Sequence, residues 1–180
     1  MGQETTQDLI LRAEIAYKSR KYAESANLFE SALREYSTAG DPIKAAEMSN
    51  NRSVALLQAG DPQGAFDAAA GTDTVFALSG DVRRQAMAIG NQAAALEGLN
   101  RLDEALQRFK QCSELLKQMG EEEYRPLVLK SISTLQLRTG HQLEALASMD
   151  AALGQQKKLG VKERLLKKLL HIPFTMLKRG

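Results

Sequence analysis

Glycines punctuate this chain every twenty residues. They stand at 40, 60, 80, 120, 140 and 160, and only Arg20 and Asn100 interrupt the series. Gly, and after it Asn, most readily takes the left-handed conformation that ends a helix and turns the chain. Evenly spaced stops of this kind predict a succession of helices, two to each 40-residue unit. Side-chain types repeat at the same interval. Ser25, Ala65, Ala105 and Ala145 form one column; Phe29, Ala69, Phe109 and Met149 a second; Ala32, Thr72, Cys112 and Ala152 a third. Between stops, apolar residues recur in steps of three and four, as at Leu102, Ala105, Leu106, Phe109, Cys112, Leu115 and Leu116. That spacing puts them on one helix face.

The expected helices are 6–19 and 22–39, 42–59 and 62–78, 82–99 and 102–119, and 122–138 and 142–159. Pro42 and Pro62 each follow Gly-Asp, so Asp caps the start and Pro occupies a first-turn position that has no donor to lose. The second helix of the second unit is the weakest, because Gly64 and Gly71 each cost about 1 kcal/mol against Ala inside a helix. Gly71-Thr72-Asp73 reads as a stop followed by a new start, which predicts a break and a short second piece over 74–78.

The stretch 91–120, NQAAALEGLNRLDEALQRFKQCSELLKQMG, carries a recognisable pattern. Leu102, then Asp-Glu-Ala, then Phe109 and a small residue resemble the second helix of a tetratricopeptide repeat (TPR). The resemblance extends over about residues 6–160. It implies an all-α, right-handed TPR-like α-solenoid of four helix pairs, 1–40, 41–80, 81–120 and 121–160. The familiar repeat is about 34 residues long. Here its proline after the second helix is replaced by Ser37, Ala77, Lys117 and Lys157, so that helix can run on to the glycine. The pattern is most similar to the long-repeat branch of the family, such as kinesin light chain and cell-polarity adaptor repeats.

With 180 residues, 43% apolar and 26% charged, the chain has the composition of one soluble domain. No apolar run approaches the roughly 20 residues of a spanning helix. The start, MGQETTQDL, lacks the basic and apolar regions of a signal peptide, so a cytoplasmic location is expected. Cys112 is the single cysteine and reads as a small core residue. The two histidines, His141 and His171, lie far apart, and no Cys/His/Asp spacing resembles a metal site. The glycines are helix stops rather than a phosphate loop. With no Trp, and with Tyr and Phe mostly on core faces, nucleic acid is not expected either. No enzyme activity, cofactor or metal is expected.

What remains is surface. The resemblance implies a concave side lined by the first helix of each pair, where TPR proteins bind peptides or helices. Asn51 and Asn91 match the family position whose Asn bonds a ligand backbone, and Ser131 is the equivalent in the fourth unit. Asn50, Gln58, Glu97, Lys130 and Arg138, with Glu14, lie on the same helices. The competing reading makes Asn51 and Asn91 bridges between neighbouring helices. A carboxylate clamp is not expected: Ile10, Glu14, Met87 and Asn91, or one unit on Asn50, Val54, Leu127 and Ser131, occupy its places. The expected function is a protein-interaction module that takes a partner peptide or helix.

Residues 161–180 are expected to form a basic amphipathic capping helix and tail. Residues 157–180 carry eight Lys/Arg against Glu163, a net +7, which leaves −5 on the rest. Val161, Leu165, Leu166, Leu169, Leu170 and Ile172 form an apolar stripe, with Pro173 as the stop. Docking that stripe on the last repeat is the first expectation. The rivals are a peripheral membrane adaptor using this basic helix and a regulatory sensor domain. Phe174, Met176 and Leu177 could also join a second copy, making a homo-oligomer.

Overall fold

A computed structural model describes residues 5–155, 160, 162–168 and 170. Among these residues the chain forms nine α-helices and no strand: α1 Thr6–Lys18, α2 Tyr22–Thr38, α3 Pro42–Gln58, α4 Pro62–Ala69, α5 Thr72–Leu78, α6 Val82–Gly98, α7 Leu102–Gln118, α8 Arg125–Arg138 and α9 Gln142–Gln155. A further helical stretch covers 162–168. The chain divides into two compact units, residues 1–108 and 109–180, with the division falling inside α7.

The twenty-residue ruler is a backbone motif. Gly40, Gly60, Gly80, Gly120 and Gly140 have φ between 68° and 85°, and Arg20 and Asn100 adopt the same conformation at 61° and 58°. At each stop the next amide reaches back five residues to a helix carbonyl, as from Lys21 to Ala16 (2.9 Å) and from His141 to Gln136 (2.8 Å). This closes the helix end and supplies partners for carbonyls that would otherwise have none. On the far side Asp41, Asp61 and Asp81 accept from the amides of Lys44, Gly64 and Arg84, capping α3, α4 and α6.

Small residues let paired helices approach. Ala65, Ala105 and Ala145 are at most 1% exposed, and Ser25 is fully buried. The partner column, which the sequence reading did not single out, is Ala13, Ser53, Ala93 and Ser133. Wherever one member of a pair is serine, its hydroxyl donates to the facing carbonyl: Ser25 to Ala13 (2.8 Å), Ser53 to Ala65 (2.7 Å), Ser133 to Ala145 (2.8 Å). The Ala93 and Ala105 pair is buried without a hydroxyl. In the first unit the core includes Leu9, Ala13, Phe29, Ala32 and Met48, and, further along, Ala46, Phe76 and Ala88. Cys112 is buried, 2% exposed.

The break in the second pair is present, with Gly71 left-handed at φ 76°. The new helix starts at Thr72, two residues earlier than expected. Three side chains hold the interruption. Ser49 donates to the Ala68 carbonyl (2.7 Å), and Thr72 (2.8 Å) and Gln92 (2.9 Å) both donate to that of Ala69. Gln92 also binds Asp73 (2.8 Å).

One further boundary differs from expectation by more than one residue. α8 begins at Arg125, not at 122, because Pro126 is tolerated in a first turn but would clash with the carbonyl four residues back if the helix began earlier. The end expected for α9 at 159 lies outside the described residues. In the C-terminal stretch Leu170 is buried (5%), whereas Leu165 and Leu166 are 60% and 39% exposed. Val161, Leu169 and Ile172 lie outside the described residues, as does Pro173.

Candidate interaction surface

The candidate residues divide between the two units. Asn50, Asn51 and Gln58 lie on α3, and Asn91 and Glu97 on α6, all in the first unit. Lys130, Ser131 and Arg138 lie on α8 in the second. The structure brings α3 and α6 together at one point of this set: Asn91 Nδ2 donates to Asn50 Oδ1 over 3.0 Å. Asn91, matched to a ligand-contacting position, therefore has a partner on the neighbouring first helix. Close by, Arg84 on α6 pairs with Glu47 on α3 at 3.4 Å and with its own cap, Asp81, at 3.0 Å.

Asn51 is placed differently. Its half-buried side chain borders a cavity of about 220 Å³, lined also by Glu14, Tyr17, Lys18, Phe29 and Val54. Phe29, 5% exposed, is the floor, and α1, α2 and α3 supply the walls. The Tyr17 ring is steadied by an edge contact with Tyr22, centroids 5.3 Å apart. Glu14 and Lys18, one helical turn apart, set opposite charges on the rim. Tyr17, Lys18, Phe29 and Val54 were not among the expected site residues. The signal was the three-way meeting of α1, α2 and α3, which no single-helix pattern reveals.

Gln58 is exposed at the last turn of α3, and Glu97 is half-buried near the end of α6. Gly98 beside it is required by contact, since a Cβ there would lie 2.8 Å from Pro62 Cβ. In the second unit Lys130 Nζ pairs with Glu163 Oε1 at 3.1 Å, tying α8 to the C-terminal helical stretch. Glu163 also accepts from the Gly160 amide at 2.9 Å. These two contacts, the amide first, hold its carboxyl below the ordinary value of 4.5. Ser131 is half-buried and Arg138 exposed.

Elsewhere in the first unit, the α4–α5 break opens a cleft of about 570 Å³ beside the α2–α3 turn, lined among others by Leu33, Pro42, Ala45, Thr72 and Val75. Among the described residues no group of three or more His, Cys, Asp or Glu could hold a metal ion, and no helix is long and apolar enough to cross a membrane.

Paired helices with small residues at the crossing, joined at a 40-residue interval, define a TPR-like helical repeat. The chain is an all-α, TPR-like α-solenoid. Among solved structures it is similar to a putative kinesin light chain of Podospora anserina with nearly identical TPR-like repeats. The identity is 13%, the match covers 98% of this chain and 92% of that one, and the TM-score is 0.75. At that identity the likeness is one of fold. No family model matches the sequence, and no curated protein matches it.

Proposed function

We propose that this chain is a non-catalytic interaction module that binds a partner peptide or helix along its first helices, with the cavity beside Asn51 as anchor. The observation that carries the reading is the pairing of an apolar floor, Phe29 and Val54, with an amide, Asn51, that has no hydrogen-bond partner among the described residues. The cavity has room for one large apolar or aromatic side chain, while Asn51 can bond the ligand backbone beside it. Glu14 and Lys18 would select charge at the flanking ligand positions. Gln58, Asn91 and Glu97 extend this surface in the first unit, and Lys130, Ser131 and Arg138 are the corresponding candidates in the second. TPR-like repeats commonly serve as protein-interaction scaffolds, which supports the general class. Cytoplasmic location belongs to the same proposal.

Selection from a displayed peptide library tests it. The expected result is a consensus with one large apolar side chain. Its binding should fall at least about tenfold, some 1.4 kcal/mol, in Val54→Arg, which fills the cavity, and fall less in Asn51→Ala. Melting temperatures should be unchanged in both. Peptides that bind Val54→Arg as well as the parent would sink the assignment.

A further inference from the structure

Among the described residues, α1 and the stretch 162–168 both expose apolar side chains at positions whose counterparts in other units are more buried. Columns spaced by 40 residues reveal what each position does within the stack. The counterparts of Ile15 are Ala55, Ala95 and Leu135, each 0% exposed, yet Ile15 is 54% exposed. Gln92 and Ile132, in the column of Arg12, are each 3% exposed, while Arg12 is open to solvent. Leu11, 57% exposed, shares its column with Asn51 and Asn91. On α6 this side reaches back to the preceding pair: Asn91 bonds Asn50 on α3, and Gln92 bonds the Ala69 carbonyl on α4. Leu11, Arg12 and Ile15 thus mark the side by which a first helix stacks on what precedes it, and on α1 that side is uncovered among the described residues.

At the other end, 162–168 continues the register, starting at 162 as α3 starts at 42 and α6 at 82. Leu166 falls in the column of Ala46, Ala86 and Pro126, all buried, yet it is 39% exposed; Leu165 beside it is 60% exposed. Lys162, Arg164 and Lys168 surround the pair and are exposed. Residues 1–108 hold 15 acidic and 11 basic side chains, net −4, and residues 109–180 hold 7 and 13, net +6.

We propose that the open side of α1 in one copy receives the basic C-terminal helix, 162–168, of a second copy. The occupant follows from both halves of the contact. Each face is an apolar pair: Ile15 and Leu166 hold positions that are buried elsewhere in the stack, Leu11 and Leu165 positions that are half-buried or buried there, and the units that carry them have opposite net charge. The leucines and Ile15 supply the contact, and the unlike charge of the two units supplies the attraction. Pairing two C-terminal helices would instead oppose like charges. The contact joins two different faces, so each added copy presents a fresh one and assembly proceeds stepwise unless a ring closes. This inference does not depend on the Asn51 cavity, which α1 borders through Glu14, Tyr17 and Lys18 and not through Leu11, Arg12 or Ile15.

Sedimentation velocity of the full chain, from micromolar to millimolar and at low and high salt, tests it. The parent should associate progressively, and salt should weaken the association. Leu11→Glu with Ile15→Glu changes only exposed positions and should keep the helical content while weakening association at least about tenfold. Leu165→Glu with Leu166→Glu should do the same. Mixed, the two variants retain one intact face each and should form a one-to-one complex and nothing larger. A parent that stays monomeric throughout, or an α1 variant that associates like the parent, overturns the proposal. So does a mixture that fails to pair, which would mean a symmetric contact. If the monomeric parent binds phosphatidylserine vesicles and loses them on Leu165→Glu with Leu166→Glu, the C-terminal face belongs to a membrane instead.

Discussion

Arg20 sits at φ 61°, where every other position on the twenty-residue ruler up to 140 has Gly or Asn. An L-residue in this conformation is strained by roughly 1–2 kcal/mol, and glycine's extra freedom in the unfolded chain offsets part of any relief. Arg20→Gly should therefore stabilise by about 0.5–1 kcal/mol, a rise of roughly 2 °C in a chain of this size; calorimetry showing a fall would mean that the arginine side chain contributes more than the strain. The alanine column carries the opposite sensitivity. Ala105 is 0% exposed, so Ala105→Leu should overpack the helix crossing and destabilise by about 1–3 kcal/mol. A thermal midpoint equal to the parent's would refute that register. Both features were legible in the sequence because each position tolerates few residue types. Asn91 was less legible. The sequence marks it as a polar group on a first helix, but only geometry shows that its amide faces Asn50.

Among the elements, the α4–α5 break shows where sequence reasoning reached and where it stopped. Gly71 announced the interruption, since no other residue takes φ 76° so readily. Its support was not legible, because the donors Ser49 and Gln92 come from two other helices, and a one-dimensional pattern does not aim side chains at a carbonyl. Pro126, in the first turn, sets the start of α8 at Arg125 rather than 122. The break gives a sharp test. Gln92→Leu preserves most of the volume and removes the donor shared by Ala69 and Asp73. Thr72 still serves the Ala69 carbonyl, and Gln92 Oε1 is itself buried with no hydrogen-bond partner among the described residues. The loss should then be near 1 kcal/mol rather than the 2–3 of a fully orphaned group, read as a lower urea midpoint with unchanged slope. An unchanged midpoint would mean that the break holds without Gln92.

For the whole molecule, charge is segregated and the C-terminal end depends on it. The +7 of residues 157–180 includes a single acid, Glu163, which accepts from the Gly160 amide and pairs with Lys130 on α8. Every other charge in that segment is basic, so Glu163 is the carboxylate by which the segment can hold a cation of its own unit. Its carboxyl is held below 4.5, first by the Gly160 amide and then by Lys130. A carboxylate lowered on folding binds fewer protons in the native state than in the unfolded one. Its contribution is fully present above about pH 4.5 and is lost as pH falls through the lowered folded value. Both partners are about one-third exposed, so solvent screens the pair and the effect on stability is small. Local opening is the better readout. Amide exchange over 160–168 should be faster in Glu163→Gln than in the parent at neutral pH. The difference, after correction for intrinsic exchange rates, should shrink as pH falls below 4.5 and vanish once the parent's carboxylate is protonated. A difference that persists unchanged to pH 3 would show that the Glu163 side chain acts through packing rather than through its charge.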